Sequence, residues 1–267
     1  MQISVTAMSG AGNDFLIVEE SVPRQLGDAW LPWVERICRR GVSIGADGVI
    51  VVSDRPGDRV AARFLNPDGS EAFCGNGSRC VARWATLRGW VGDRLVLETE
   101  IGDVPAVVDG DLVELQLERP TDHGARTVTL DGQSFEGRWI TAGIPHFVLP
   151  VDDPGAVPIA QWGRTIRFDP QFGASGTNVN FVSGEVTELT MRTYERGVEA
   201  ETLCCGSGAV AAAFATALTQ QASTVRVVPR SGIAVEVTMT PDGVTLRGEA
   251  RRLFETTVHA EATAWPG

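Results

Sequence analysis

Apolar and polar positions alternate with a period near two over much of this chain, which predicts sheet broken by a few helices. Ile3 to Met8 alternates loosely, a turn follows at Ser9-Gly10-Ala11-Gly12-Asn13-Asp14, and Phe15 to Glu19 makes a second strand. Val49 to Val52 and Ala61 to Leu65 are strand-like, and turn residues fill Ser43 to Gly48 and Asn66-Pro67-Asp68-Gly69-Ser70. Leu95 to Thr99, Val104 to Val108 and Leu112 to Leu117 follow, with a hairpin signal at Asp109-Gly110. Further strands are read at Thr127 to Leu130, Arg138 to Ile140, Phe147 to Leu149, Asn178 to Val182 and Leu189 to Tyr194. The last are Val225 to Val228, Ile233 to Met239 and Val244 to Leu246, with a turn at Asp242-Gly243. Thr141 to His146 is read as a turn, Phe172 to Gly176 as a loop, and the polar stretch Glu118 to Gly124 as a domain boundary.

Three segments have helical character. In Leu31 to Arg40, Leu31, Val34 and Ile37-Cys38 share a face, and Gly41 stops the helix. A second helix leaves the Cys74 loop and runs to about Leu87, with Cys80, Val81, Trp84 and Leu87 as its stripe. The third, Ala209 to Leu218, is apolar on every side; such a helix is a buried one, expected inside a curved sheet.

Short motifs recur at one offset. Gly12 and Gly143 each lead a turn into an apolar strand, and 143 − 12 is 131. Gly45 and Gly176 head Gly-Ala-Asp and Gly-Thr-Asn, and 176 − 45 is again 131. Cys74-Gly75-Asn76-Gly77 and Cys205-Gly206-Ser207-Gly208 both open a helix, and 205 − 74 is 131. One register with one element order predicts two like domains, 1–118 with Cys74 and 119–267 with Cys205, the last residues left free to pack back on the first.

Composition narrows the chemistry. The net charge is −11, which argues against nucleic acid or an anionic membrane as partner. All 23 basic residues are Arg. Without lysine there is no Schiff base for pyridoxal phosphate and no Walker A loop. Cys38, Cys74, Cys80, Cys204 and Cys205 form neither a disulfide framework nor a Cys-x-x-Cys zinc site, and His123, His146 and His259 make a poor metal set. No cofactor and no metal are expected. No apolar run approaches membrane-spanning length and Met1 to Ser4 is not a signal peptide, so a cytoplasmic location is the default expectation.

Each Cys-Gly-x-Gly places a thiol at a helix N-terminus. Bare N–H groups there bind an anion such as a carboxylate, and the same end favours thiolate, lowering the thiol pKa. A thiolate on one face and a thiol on the other would invert a stereocentre by proton removal and return. Cys38 and Cys80 read as small buried apolar residues. A Cys-His hydrolase built on one thiol and His146 stays open, although it leaves the second motif unused; so does a binding protein with no catalysis. Glu195-Arg196 is either a surface ion pair or a holder for the charged groups of an amino acid. Asn13, Asn66, Asn178 and Asn180 are by default turn or strand-end residues.

Several stretches resemble the diaminopimelate epimerase family of cofactor-independent racemases: Gly10 to Phe15, Gly45 to Gly48, Asn66 to Glu71, Cys74 to Cys80, Gly176 to Phe181, Glu195-Arg196-Gly197 and Glu201 to Gly208. The resemblance implies a mixed α/β fold of two pseudo-symmetric domains, each a curved, largely antiparallel sheet around a central helix, with the active site in the cleft between them. It implies Cys74 and Cys205 as the two bases and a small amino-acid substrate, LL-2,6-diaminopimelate, turned to its meso form. It gives Gly75, Asn76, Gly206 and Ser207 to the carboxylate at the reacting centre. Asn13, Asn66, Asn178, Glu195 and Arg196 would contact the rest of the substrate, and His146 and Glu195 would tune the thiols. A homodimer is left open. Two departures bear on the distal end: Ile144 stands where the family has an amide in Gly-Asn-Pro-His, and Glu195 to Thr202 carries one residue more than the commonest spacing. A racemase of another amino acid, such as histidine, is the alternative within the family.

Overall fold

The computed structural model describes residues 2–264. Its first elements are β1 (Gln2–Gly10), β2 (Asn13–Glu19), α1 (Ser21–Leu26), α2 (Trp30–Ile37), β3 (Gly48–Arg55) and β4 (Arg59–Leu65). Then come α3 (Gly75–Leu87), β5 (Arg94–Thr99), β6 (Gly102–Asp109), β7 (Leu112–Leu117), β8 (Thr121–Leu130), β9 (Gln133–Ala142) and β10 (Ile144–Pro150). The rest are α4 (Ile159–Arg167), β11 (Asn178–Glu185), β12 (Glu188–Glu195), β13 (Ala200–Thr202), α5 (Gly206–Gln220), β14 (Thr224–Val228), β15 (Val235–Thr240), β16 (Gly243–Glu249) and β17 (Arg251–His259). The chain forms two compact units: residues up to Leu115 with those from Gly248 onward, and Gln116–Arg247.

In the first unit β1–β2 is antiparallel, β2–β3 parallel, β3–β4 antiparallel, β4–β5 parallel and β5–β6 antiparallel. Each parallel step needs a long crossover, and a helix supplies it: α2 before β3, α3 before β5. The inner strands β2 and β3 are apolar on both faces because both are covered, whereas β5 and β6 alternate. Leu16, Val18, Val49 and Val51 pack with Trp33, Val34 and Ile37 of α2. On the other side α3 lies against every strand from β1 to β6.

The second unit repeats the pairing: β9–β10 antiparallel, β10–β11 parallel, β11–β12 antiparallel, β12–β14 parallel and β14–β15 antiparallel. Here α4 and α5 fill the two crossovers. Ile159 and Ile166 of α4 pack with Phe147, Leu149, Val179 and Phe181. The all-apolar α5 is buried from Ala209 to Ala217 and contacts β9 to β12, β14 and β15.

The glycines that share the 131-residue offset share a backbone state. Gly12 and Gly143 have φ of 109° and 72°, Gly45 and Gly176 have 79° and 63°. A side chain is strained in that left-handed region, which is why glycine marks both copies.

Several sequence expectations are corrected. Leu31 is 51% exposed, because Trp30 and Trp33 stack at 5.6 Å and take the buried face of α2. Leu87, the last residue of α3, is exposed as well. The stretch from Thr121 is strand, with a bulge between Asp122 and Ala125 that absorbs Gly124. Thr141 to His146 is mostly paired strand, and only Gly143 turns. Helix α4 and strand β17, neither of them read from the sequence, complete the fold.

Candidate active site

In the first unit the chain arrives at Cys74 extended (φ −132°, ψ 108°) and turns into α3, so that Cys74 is the helix cap. The Gly77 N–H donates to Cys74 Sγ at 3.4 Å, and the Ser78 N–H to the Cys74 carbonyl at 2.8 Å. The thiol is half-buried and borders a cavity of about 250 Å³ lined in part by Arg63, Phe64, Glu71 and Phe73. Around the helix start runs a polar chain. Asn76 Nδ2 donates to Asn13 Oδ1 at 2.6 Å, Asn13 Nδ2 to Asp47 Oδ2 at 2.8 Å, and the fully buried Arg79 to Asn76 Oδ1 at 2.8 Å. Arg40 bridges Asp14 and Asp47 behind it. Asn13 and Asn76 thus act as one amide pair. Asn66 closes its own turn on Ser70, with Nδ2 donating to Ser70 Oγ at 3.0 Å.

In the second unit Cys205 caps α5 with nearly the same dihedrals (φ −121°, ψ 111°), and the Ala209 N–H donates to its carbonyl at 2.9 Å. Cys205 is buried, its Sγ 3.5 Å from Ser207 Oγ. Ser207 Oγ is 3.0 Å from His146 Nε2, and His146 Nδ1 is 3.2 Å from Asn180 Nδ2. Asn178 accepts the Arg196 N–H on Oδ1 at 2.6 Å, tying the Glu195-Arg196-Gly197 turn to β11. Its Nδ2 is buried with no hydrogen-bond partner among the described residues.

Burial pushes the Cys205 thiol well above its ordinary pKa and the charge of Glu195 adds to the rise, while Ser207 and the Gly208 N–H pull the other way. This corrects the expectation that the helix end would lower it. A helix dipole is worth roughly 0.3–2 kcal/mol, whereas full desolvation moves a pKa by up to about 3–5 units. His146 is pushed down to about 3 by burial, with Arg196 adding to the shift, so its ring is neutral. Cys38 and Cys80 are buried thiols raised to about 12 by desolvation, as apolar core residues would be.

Among the described residues no cluster of His, Cys, Asp and Glu could hold a metal ion, and no helix is long and apolar enough to cross a membrane.

The model of the diaminopimelate epimerase family matches residues 5–118 and 138–253 of this chain. The chain belongs to that family. The family's diaminopimelate epimerase from Aquifex aeolicus is 40% identical over 265 residues, covering 93% of this chain and 95% of the relative. That of Archaeoglobus fulgidus is 38% identical, covering 96% of each. A crystal structure of a probable proline racemase from Agrobacterium radiobacter, at 18% identity, shares the fold with a TM-score of 0.73 over 99% of this chain and 96% of that one. The cysteines, the paired Asn13 and Asn76, and the group of His146, Asn178, Arg196 and Ser207 all lie in the segments the family model matches. One neighbour of the site was read from the sequence only as a turn or strand-end residue: Asn180, which lies fully buried inside β11. Its signal was the period-two repeat Asn178-Val179-Asn180-Phe181, which turns both amides to one face of β11.

Proposed function

We propose that this protein epimerises LL-2,6-diaminopimelate to meso-diaminopimelate without a cofactor, with Cys74 and Cys205 as the two bases, each serving in its thiol form as the acid for the other. What carries the reading is the matched pair: two thiols, each capping a helix through Cys-Gly-x-Gly with nearly equal dihedrals, in a chain of this family. One thiolate takes the Cα proton and the electron pair passes into the carboxylate as an enediolate. A thiol on the opposite face returns a proton and becomes the thiolate, so each turnover leaves the pair with exchanged protonation.

The carboxylate of the reacting centre meets the first-turn N–H groups of Gly75, Asn76, Gly206 and Ser207, which a helix leaves without internal acceptors. These donors are aimed where charge develops, so they stabilise the enediolate more than the substrate. The distal amino-acid group falls to Asn13, Asn66, Asn178, Glu195 and Arg196. The buried, unpartnered Nδ2 of Asn178 supports that assignment, since such donors are rare unless a ligand completes them. The lysine-free sequence closes the pyridoxal route to the same product. On this reading the enzyme works in the cytoplasm, supplying lysine and peptidoglycan precursors.

The test is incubation with LL-diaminopimelate in D₂O under reducing conditions, following the Cα signal. Deuterium wash-in with meso product is expected; neither appearing removes the reading. Ile144, apolar and exposed where the family has an amide, favours a second arm: a panel of other L-amino acids in the same assay. A Cys hydrolase would instead show an acyl-enzyme and depend on one cysteine only.

A further inference from the structure

The inner face of β11 is unusual for a buried strand. Asn178 and Asn180, two residues apart, are both fully buried, and so are His146 on β10 and Thr193 on β12. Thr193 is directly opposite Asn180 in the antiparallel ladder. The large majority of buried polar side-chain atoms are hydrogen-bonded. Here the bonds run in one line toward the sulfur. Thr193 Oγ1 donates to Asn180 Oδ1 at 2.9 Å, Asn180 Nδ2 faces His146 Nδ1 at 3.2 Å, His146 Nε2 faces Ser207 Oγ at 3.0 Å, and Ser207 Oγ faces Cys205 Sγ at 3.5 Å.

The polarity of this line follows from one amide. An Asn Nδ2 can only donate, so the imidazole nitrogen facing it must present its lone pair. A neutral ring carries a single N–H, which then sits on Nε2 and points at Ser207 Oγ. With that lone pair of the hydroxyl engaged, the hydroxyl proton is free for Cys205 Sγ. Asn180 is held in its orientation from both sides. Thr193 occupies its oxygen, and Gly208 leaves room for that oxygen where a Cβ would sit 2.5 Å away.

We infer that Asn180 is a positioning residue: it locks His146 as the Nε2–H tautomer, so that Ser207 turns its proton to Cys205 Sγ and prepares that sulfur as a base. A hydroxyl donated to sulfur favours thiolate, which opposes the burial and the Glu195 charge that disfavour it. The inference rests, for its kinetic consequence, on the two-thiol reading above; the tautomer does not.

The experiment has two readouts on the full chain. Long-range ¹H–¹⁵N spectra report the tautomer of His146, one of three histidines, assigned by its loss in His146→Gln. The wild type is expected to show Nε2–H with an unprotonated Nδ1. Asn180→Asp puts a pure acceptor against Nδ1 and is expected to move the proton there, which withdraws the Ser207 proton from Cys205. In the D₂O assay its kcat should fall on the order of 10-fold or more, with KM changed by less than about twofold. Asn180→Ala, which loosens the ring without reversing it, should lie between the two. An Nδ1–H tautomer in the wild type overturns the proposal, as does Asn180→Asp leaving tautomer and kcat unchanged. The wild-type spectrum decides even where a variant does not fold. A wild type that exchanges no Cα proton defeats the two-thiol reading instead, and the tautomer can still be read.

Discussion

A Cβ on Gly208 would lie 2.5 Å from Asn180 Oδ1, inside any real contact distance. The glycine at the matching place in the other copy, Gly77, would press on the tip of Ile50 at 3.0 Å and meet Cys74 Cβ and Sγ at ordinary contact distances of 3.5 and 3.7 Å. The two glycines therefore differ in what an added methyl displaces: a buried amide in the Cys205 network, or the flexible end of an aliphatic side chain. Gly208→Ala should cost about 1–3 kcal/mol of stability as overpacking and lose most of the activity with it. Gly77→Ala should be milder on both counts. Urea midpoints and epimerisation rates of the two variants compare them directly.

The two thiols should be separately indispensable. Cys74→Ser and Cys205→Ser are each expected to lower kcat by on the order of 10²–10⁴-fold, the usual worth of a positioned acid or base. Cys38→Ala, a deletion in the α2 core, should cost stability and leave kcat close to the wild-type value. Steady-state rates on folded variants check this. A single-cysteine requirement would point to covalent hydrolytic chemistry instead.

How much of this was legible in the sequence depended on whether a residue's task restricts its type. Gly12, Gly45, Gly143 and Gly176 stood out because a positive φ admits little else, and the cysteine motifs because a bare helix end needs glycine. Helix α4 was illegible for a related reason. Its Gly163 looks like a breaker, yet a Cβ there would strike the Tyr194 side chain at 2.5 Å, so the glycine lets helix and strand approach. Strand β17 carries seven exposed residues in a row from Arg251 to Thr257, hence no alternation, and forms through its ladder with β1. The burial that raises the Cys205 pKa is a tertiary property that no local pattern reports.

His146 should give the acid stability limit a recognisable slope. Its folded pKa is depressed from 6.5 to about 3 by burial, so it contributes stability that is complete above about pH 6.5 and is lost as pH falls toward 3. One such group gives a slope of roughly 1.4 kcal/mol per pH unit inside that window. Urea midpoints at pH 7 and pH 5 should therefore differ more for the wild type than for His146→Gln. Cys205 has the opposite sign. Its folded pKa is raised, so its contribution is complete below the ordinary thiol pKa and is lost as pH climbs above it.

Arg167 and Glu199 brace the turn that bears Glu195 and Arg196. Arg167 Nε donates to Glu199 Oε1 at 3.1 Å and its Nη1 to the Ser175 carbonyl at 2.9 Å. Glu199 in turn accepts the Gly197 N–H at 3.1 Å, and its own N–H closes on the Glu195 carbonyl at 2.8 Å. The longer spacing of this turn is thus ordered by a part-buried ion pair. Arg167→Gln should loosen the distal end of the site rather than the thiols. The expected result is a KM for diaminopimelate raised on the order of 10-fold with a smaller change in kcat. A fall in kcat at constant KM would show that the brace serves the reacting centre.

Ile144 offers the sharpest test of the substrate's far end. It sits just past the Gly143 turn, two residues before the buried His146, and 36% of it is exposed, so its side chain can be exchanged without opening the core. Ile144→Asn restores the amide of the family's Gly-Asn-Pro-His. One added hydrogen bond is worth about 0.5–1.5 kcal/mol, which predicts a KM for diaminopimelate lowered by roughly 2- to 10-fold. Rates on amino acids with no second charged end should stay level. If instead diaminopimelate is handled no better and another L-amino acid loses rate, then Ile144 is a contact for an apolar or shorter substrate. The family chemistry would then be retained on a different molecule, because the substitution touches neither Cys74 nor Cys205.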